Sequence, residues 1–543
     1  MKQSPDTVYL DGHILTMDAA DRDVRAIAVR DDRILAAGSN EEIARLAGTG
    51  TETIDLQGRT VVPGFIDGHV HPTGVINAYR NWVDGRYPTT PTIAVLLEKI
   101  AQRAKQAKPG DWVLVAGTPS SDTRFAEKRL PTKQEIDAAS NDAPVLFFSG
   151  MHKWVASTQG LAKLGITKGM KELKGAVIDT DEHGEPNGVL HEAMALTPGR
   201  DYGEDVLRRW YATDIPELWN SHGYTSVMAI TPQNQFETIK SIAEGGGHAT
   251  LRYTFAVSAD PAGTLLPPSY ERFRMPESAD PEWYRFAGVK LWVDGDVPAK
   301  GGYTWHPYCG SERDCGVVNI SPQKLAAIVA NIRGQGLAAF LHATGDRATD
   351  MAIDAFEQAQ GRPGPDTLQR IEHFGDFMLT RAQMDRVKRL GIHGNCQPGW
   401  IYLHAHATRQ YLGDERADTL AFQFKTMLEA GLEPGFGTDL TGIIQQTENP
   451  FFHLWCLVTR STERGTFVPE QAITVRDGLR MLTIWAARAQ GEDAIKGSLE
   501  PGKLADMAVL SDDVTRIAPE KIAAVTVLET IVGGKSVYRR AGA

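Results

Sequence analysis

The chain contains no run of 18 apolar residues, about the least that a membrane-spanning helix requires. Its amino terminus, MKQSPDTVYLDG, lacks the apolar stretch of a secretion signal. Positive charge is in deficit: 57 Lys and Arg stand against 68 Asp and Glu, a net charge of −11, and the basic residues form no stripe. Neither nucleic acid nor a membrane is therefore an expected partner. Cysteine is scarce, and Cys309, Cys315, Cys396 and Cys456 have neither zinc-finger nor redox spacing. Cys309 and Cys315 are near enough to pair, but reduced thiols in a soluble, cytoplasmic protein are the expectation. No Gly-x-Ser-x-Gly elbow marks a serine hydrolase. Gly245-Gly246-Gly247 follows a helical pattern and reads as a loop; without the strand-turn-helix context of a phosphate loop it gives no nucleotide site. Internal repeats and low-complexity tracts are also missing.

What is present is a globular composition, 42% apolar and 23% charged, on 543 residues, which exceeds one ordinary domain. Residues 7–56 read as short strands with tight turns: Thr7–Leu10, His13–Met17, Ala26–Arg30 and Arg33–Ala37, broken by Asp11-Gly12 and Asp31-Asp32. At the other end Ala505–Ser511 and Val525–Tyr538 are strand-like, with Gly533-Gly534 as a hairpin turn. Neither end has enough apolar residues to fold alone. Residues 1–57 and 496–543 are therefore expected to pair into one small β-sandwich.

Between the ends, over 58–495, short apolar runs alternate with helical patterns, the signature of βα units and a parallel sheet. Candidate strands are Val61–Ile66, Thr225–Ile230, Leu251–Val257, Phe286–Trp292, Ala338–Leu341, Gln369–Glu372, Ile392–Gln397 and Glu433–Gly437. Eight is the count of a (β/α)8 TIM barrel, an α/β fold. The long gap between the first two implies an inserted subdomain, roughly 74–223. Within it Ile93–Ala107 and Val206–Ser221 read as amphipathic helices, and Trp112–Ala116 and Val145–Ser149 as strands.

Barrel enzymes keep their sites at the carboxyl ends of the strands. There the sequence places His69 and His71, Lys290, His342, His373 and Asp439. His69 and His71 have the i, i+2 spacing that puts two strand residues on one face. The 31 residues from His342 to His373 make one βα unit and the 66 from His373 to Asp439 make two. Lys290 lies in an apolar strand, where an unpaired lysine is costly. Each type suits metal-assisted hydrolysis: imidazoles hold an ion yet leave a position for water. A lysine made neutral by burial can take up carbon dioxide as a carbamate, an anionic ligand able to bridge two cations. A lone aspartate can accept the proton of the attacking water and pass it to a leaving nitrogen.

These segments resemble the amidohydrolase superfamily, and within it the branch containing N-substituted formamide deformylase. The matching stretches are PGFIDGHVH at 63–71, GVKLWVDG at 288–295, HATGDRA at 342–348, RIEHF at 370–374, NCQPGW at 395–400, LGDERA at 412–417, FGTDL at 436–440 and GSLEPGKLADMAVL at 497–510. The resemblance implies one or two divalent ions, with zinc the first choice and manganese or iron also suited to these ligands. By it His69 and His71 hold the more buried ion, Lys290 bridges as its carbamate, and His342 and His373 hold the second. Asp439 would be ligand and general base, with His373 the next candidate for that role. The implied reaction is cleavage of the C–N amide bond of a small N-substituted amide by metal-bound hydroxide. Hydrolysis of a cyclic amide or imide, and deamination of a heterocycle, are the alternatives; superfamily deaminases typically do without the lysine. A non-catalytic scaffold on the same fold would have lost ligands, and all six positions are filled here. One departure stands out: Gly437-Thr438-Asp439 runs into Leu440-Thr441, where the branch usually has a proline soon after the aspartate.

Further candidates border the expected site. Trp292 shares a strand face with Lys290 and is the best candidate for a pocket wall; His152 and Glu192 match the branch's inserted region, and Gln397 ends the candidate strand Ile392–Gln397. His404 and His406 have i, i+2 spacing, but their segment reads as a loop or helix start, and ligation there is not expected. Trp82, Trp154, Trp305 and Trp400 read as core residues. The partner is a small-molecule substrate, and a homodimer is left open.

Overall fold

The computed structural model describes residues 4–173, 175–199, 202–245, 250–259, 269–362, 366–440 and 446–542. At its centre is a sheet of eight strands, each parallel to its neighbours: Phe65–Val70, Tyr224–Thr231, Arg252–Ser258, Tyr284–Trp292, Ala338–His342, Gln369–Glu372, His393–Cys396 and Gly435–Phe436, adjacent in that order. Several of these strands are buried along their whole length, the reason they read as continuous apolar runs rather than alternating ones.

The last strand meets the first through Asp439 N donating to His69 O at 2.8 Å and His71 N to Leu440 O at 3.3 Å. A Cβ on Gly437 would stand 2.6 Å from His69 Cβ, so only glycine permits this approach. The sheet thereby nearly closes into a TIM-like barrel. Helices Phe236–Glu244, Pro322–Gly334, Asp346–Gln360 and Arg381–Leu390 connect successive strands. Between the third and fourth strands the described residues hold only a 3-10 turn, Glu271–Phe273.

The first strand differs from expectation. Thr60–Pro63 and Phe65–Val70 are separate strands in different sheets. Gly64 N donates to Asp506 O and Phe65 N to Gly223 O, both at 2.9 Å. The chain thus passes between sheets within two residues, and Pro63 has no N–H with which to extend the first pairing. Apolar residues on both sides of Pro63-Gly64 conceal the handover.

Thr60–Pro63 lies antiparallel to Met507–Leu510 in a six-stranded sheet that also contains His13–Leu15, Asp23–Val24, Val527–Val532 and Lys535–Arg539. Residues from both chain ends therefore share one sheet. A four-stranded sheet of Arg33–Gly38, Ala26–Arg30, Thr7–Leu10 and Glu52–Asp55 packs with it. Ile14, Ile27, Val29, Val61, Met507 and Ile531 belong to one core spanning the two.

Residues between the first and second barrel strands build a seven-stranded mixed sheet, in the order Glu172–Leu173, Ala176–Thr180, Pro186–His191, Lys153–Ala156, Val145–Ser149, Val113–Gly117 and Val83–Asp84. Phe147 on one of its strands packs with Ile93, Leu96 and Ile100 of helix Ile93–Ala104, while Phe148 faces the other way onto Trp82 and Trp154. The helical run before the second barrel strand is interrupted: Glu204–Arg209 and Ile215–Asn220 flank a π-helical turn, Trp210–Asp214. Pro216 cannot donate to the carbonyl one turn back, and the wider turn absorbs the loss. Its Trp210, Tyr211, Ile215 and Trp219 join the barrel's core.

Gly245 ends a helix in a turn, as a loop residue would, while Gly246 and Gly247 lie outside the described residues. All four cysteines are free thiols. Among the described residues no helix is long and apolar enough to cross a membrane.

Buried charge fastens the barrel to the terminal sheets. Arg252 Nε and Nη2 donate to the two oxygens of Asp506 at 2.8 and 3.1 Å, and Gly533 N donates to Asp506 Oδ1 at 2.8 Å. Removing one member of such a pair leaves the other charge buried alone. Asp506→Ala should therefore lower the stability of the first unfolding transition by about 3–5 kcal/mol in urea titrations. The double replacement Arg252→Met with Asp506→Leu should recover most of that loss.

Candidate metal centre

All six side chains of the expected constellation line a single cavity of about 730 Å³ at the carboxyl end of the barrel strands. His69 is the next-to-last residue of the first strand and His71 follows it. Lys290 lies within the fourth strand, two residues before its end at Trp292, and His342 ends the fifth. His373 and Asp439 stand just beyond the sixth and eighth. Both have left-handed backbone, φ 62° and 44°. Such conformations cost energy in any residue but glycine, and they concentrate where the fold must aim a side chain.

Three of the six are gathered at ligand spacing: ligand atoms of His69, His71 and Asp439 all lie within 4.8 Å of one another. Asp439 Oδ1 is 3.5 Å from His69 Nε2 and 3.4 Å from His71 Nε2. Lys290 Nζ is 3.2 Å from His69 Nε2 and stands 5.3 Å from the centre of the Trp292 ring. The rings of His342 and His373 are 4.5 Å apart, and that of His373 is 5.0 Å from His69. His342 Nε2 faces the carbonyl oxygen of Gly295 at 3.2 Å.

The electrostatics favour ligands over charges. Burial, with Lys290 nearby, pushes His69 down to about 4 and His342 well below the ordinary histidine range. Burial and His342 do the same to His373. These imidazoles are neutral and offer lone pairs. Burial also brings Lys290 down to about 8, which leaves a useful fraction of free amine near neutrality. For Asp439 burial acts upward, but His71, His69 and Lys290 together outweigh it and keep the carboxyl ionised. The site therefore presents neutral nitrogens and a carboxylate, the donor set of zinc, manganese or iron. Asp439 Oδ1 is enclosed and makes no hydrogen bond among the described residues, as an oxygen awaiting a cation would be.

A layer behind these residues fixes them. Glu372 Oε2 meets His69 Nδ1 at 2.5 Å, so the ring hydrogen sits on Nδ1 and Nε2 faces the cavity as an acceptor. Arg370 Nε donates to the other oxygen of Glu372 at 2.6 Å. Burial alone would raise Glu372, but the Arg370 guanidinium and His69 hold it down at about 2. Gln397 Oε1 accepts from His373 Nδ1 at 2.7 Å. Asp67 accepts from Thr438 N, Thr438 Oγ1 and Trp219 Nε1 and so clamps the segment before Asp439. Leu440 N donates back to Thr438 Oγ1, and Thr441, where the chain departs from the expected pattern, lies outside the described residues.

Glu372, Arg370 and Asp67 carried no sequence signal strong enough to single them out. A signal existed nevertheless: Arg370 and Glu372 share a strand face two residues apart, and a charged pair in an otherwise buried strand implies a buried partner.

Among the remaining candidates, Trp292 and His152 line the cavity. Glu192 and Gln397 each bond a cavity histidine, His152 and His373 respectively. His404 and His406 sit not in a loop but inside helix Trp400–Leu412. Residues two apart on a helix diverge by about 200°, and accordingly His404 faces the cavity while His406 bonds Thr462 Oγ1. Trp400 also borders the cavity, stacked on His373 with ring centres 4.9 Å apart. Of the HATGDRA segment, Asp346 accepts from Trp305 N, and Arg347 lies over the rings of Tyr303 and Trp305. Trp305 itself is 52% exposed and belongs to no core.

Comparison with known proteins agrees with this geometry. The model of the amidohydrolase family matches residues 52–538. The chain is 29% identical to N-substituted formamide deformylase of Arthrobacter pascens, over the whole of both chains. It is 27% identical to the protein LONG AFTER FAR-RED 3 of Arabidopsis thaliana, over 98% of this chain and 91% of that one. Among solved structures, an uncharacterized metal-dependent hydrolase of Pyrococcus horikoshii superposes with a TM-score of 0.73 at 23% identity, covering 95% of this chain and 99% of that one; at that identity the match concerns the fold.

Glu372→Gln keeps the shape and the contact to Arg370 but removes the carboxylate that orders His69. Zinc binding, measured by competition with a chromogenic chelator, should weaken by about 10- to 100-fold while circular dichroism is unchanged. Undiminished affinity would take Glu372 out of this role.

Proposed function

The chain belongs to the amidohydrolase family, hydrolases of carbon–nitrogen bonds other than peptide bonds, and on that premise we propose that it cleaves small N-substituted amides with Asp439 as general base. The observation that carries this reading is the convergence of His69, His71, Lys290, His342, His373 and Asp439 on one cavity. The domain division it entails is a body of 1–57 with 496–543 and a catalytic barrel of 58–495 bearing the insertion 74–223.

His69, His71 and Asp439 would hold one divalent ion, zinc by first choice; Lys290, carboxylated by carbon dioxide, would extend the site towards His342 and His373 for a second. Bound there, the metal would polarise the substrate carbonyl and lower the pKa of a water molecule towards neutrality. The chain's own residues account for the rest. Asp439, held ionised by its neighbours, accepts a proton from the attacking water. As the water oxygen bonds to the carbonyl carbon and the C–N bond breaks, the same carboxyl returns that proton to the leaving nitrogen. The products are an amine and a carboxylate. Trp292, Trp400 and Phe148 on the cavity wall suit an apolar or aromatic substituent, and the neighbouring cations are partly engaged, Lys153 with Asp122 at 3.3 Å. A neutral amide fits this wall better than a phosphate or a polycarboxylate. A cytoplasmic location belongs to the same reading.

Two outcomes test it. Metal-loaded protein is expected to release amines from a panel of formamides and acetanilides, more slowly to open hydantoins, and to lose activity on chelation. Ammonia from an aminoheterocycle with no amide cleaved would replace the reading by a deaminase. Asp439→Asn should lower turnover by about 10²- to 10⁴-fold while metal content falls much less; a loss below about tenfold would move the base elsewhere.

A further inference from the structure

One carboxylate on the cavity wall has no assigned task. Asp296 stands in the loop after the fourth barrel strand, next to Gly295, whose carbonyl oxygen faces His342. It is 7% exposed and lines the cavity. Its Oδ1 is enclosed and makes no hydrogen bond among the described residues. A buried carboxylate oxygen left this way costs stability, so its persistence on a cavity wall points to a donor that arrives with the substrate.

Its surroundings hold it in place. Asp296 Oδ2 faces His152 Nε2 at 3.8 Å, too long for a hydrogen bond. On its other side His152 is fixed twice to Glu192: ring Nδ1 to Oε2 at 3.0 Å, and Glu192 N to His152 O, also at 3.0 Å. His152 and Glu192 stand just outside the seven-stranded sheet, next to the paired residues Lys153 and His191. Gly301 lets the barrel loop close on that sheet, since a Cβ there would lie 2.9 Å from Asp296 N and 3.2 Å from Glu192 Oε1. Asp296 is thus set between the two sheets, with one oxygen towards His152 and the other unengaged. Burial raises its carboxyl to about 7, so at mildly alkaline pH it is an acceptor only.

We propose that Asp296 Oδ1 accepts the N–H of the scissile amide, making the enzyme selective for secondary amides over N,N-disubstituted ones. The proposal rests on the amide-hydrolase reading above and adds the substrate class. A fully substituted nitrogen offers no hydrogen, so binding it leaves Asp296 Oδ1 buried without a donor, which is how a polar site rejects an analogue lacking the matching group.

The test compares formanilide with N-methylformanilide on the zinc-loaded full chain at about pH 8.5, above the ordinary carboxyl range, as a ratio of kcat/KM. The wild type should favour formanilide by roughly 10- to 100-fold. Asp296→Leu, similar in size and unable to accept, should shrink that ratio to about threefold or less; Asp296→Asn, whose amide oxygen still accepts, should keep most of it. Should Asp296→Leu not fold, Asp296→Ser, too short to reach, makes the same comparison. A wild-type ratio near one, or a full ratio surviving in Asp296→Leu or Asp296→Ser, overturns the proposal while leaving amide hydrolysis intact. Absence of turnover on both amides and on the wider amide panel is a different result, because it removes the amide-hydrolase reading itself.

Discussion

The site depends on one buried charge. Glu372 is completely enclosed at the heart of the barrel, and a carboxylate there is tolerable only because Arg370 lies on one side of it and His69 on the other. The arrangement does more than neutralise. It settles which nitrogen of His69 carries the hydrogen, and so which one is free to face the cavity. Arg370 extends the same network to the carbonyl of Gly68 at 3.0 Å, immediately before His69 in the chain. Position, tautomer and charge of the first proposed ligand thus follow from a side chain three strands away.

Around that centre the two sheet systems divide the labour. The barrel supplies every member of the proposed metal set from strand ends that regular pairing keeps rigid. The seven-stranded sheet contributes Phe148 and His152 to the cavity, on the strand Val145–Ser149 and in the turn that follows it. The cavity wall is thus drawn from two separately cored parts of the molecule, which meet where Gly301 permits close approach. Substitutions in the inserted sheet can alter the wall without disturbing the ligands.

Much of the architecture was legible in the sequence because its periodicity is strong. Eight apolar runs marked the eight strands of the central sheet, and the polar residues expected in or after five of them line its cavity. That the two chain ends share a sheet was suggested by their common shortage of apolar residues. What stayed hidden has a physical reason in each case. The passage at Gly64 falls at Pro63-Gly64, a break that the apolar residues on both sides mask because both sheets demand the same composition. The helix containing His404 and His406 is buried on several faces, so its pattern lost the amphipathic contrast that reveals a helix. Trp400 looked like core because it is buried, yet its ring is the surface against which His373 rests. Asp296 could not have been found by type or spacing, since its distinction is the lack of a partner, a property of three-dimensional surroundings alone.

The sheet shared by both chain ends has a consequence for biosynthesis. Thr60–Pro63 leads directly into the strand bearing His69, but its partner strand is Met507–Leu510. On a ribosome the first of these emerges long before the second, so the strand that leads into the His69 strand lacks this partner until Met507–Leu510 has been made. The proposed ligands are themselves spread from His69 to Asp439, and no early fragment holds them all. Nascent chains and products of premature termination would then carry the His-x-His element without the enclosure that surrounds it in the finished protein. Thr60–Pro63 and Met507–Leu510, neighbours in the fold, are thus separated by the whole barrel in the order of synthesis.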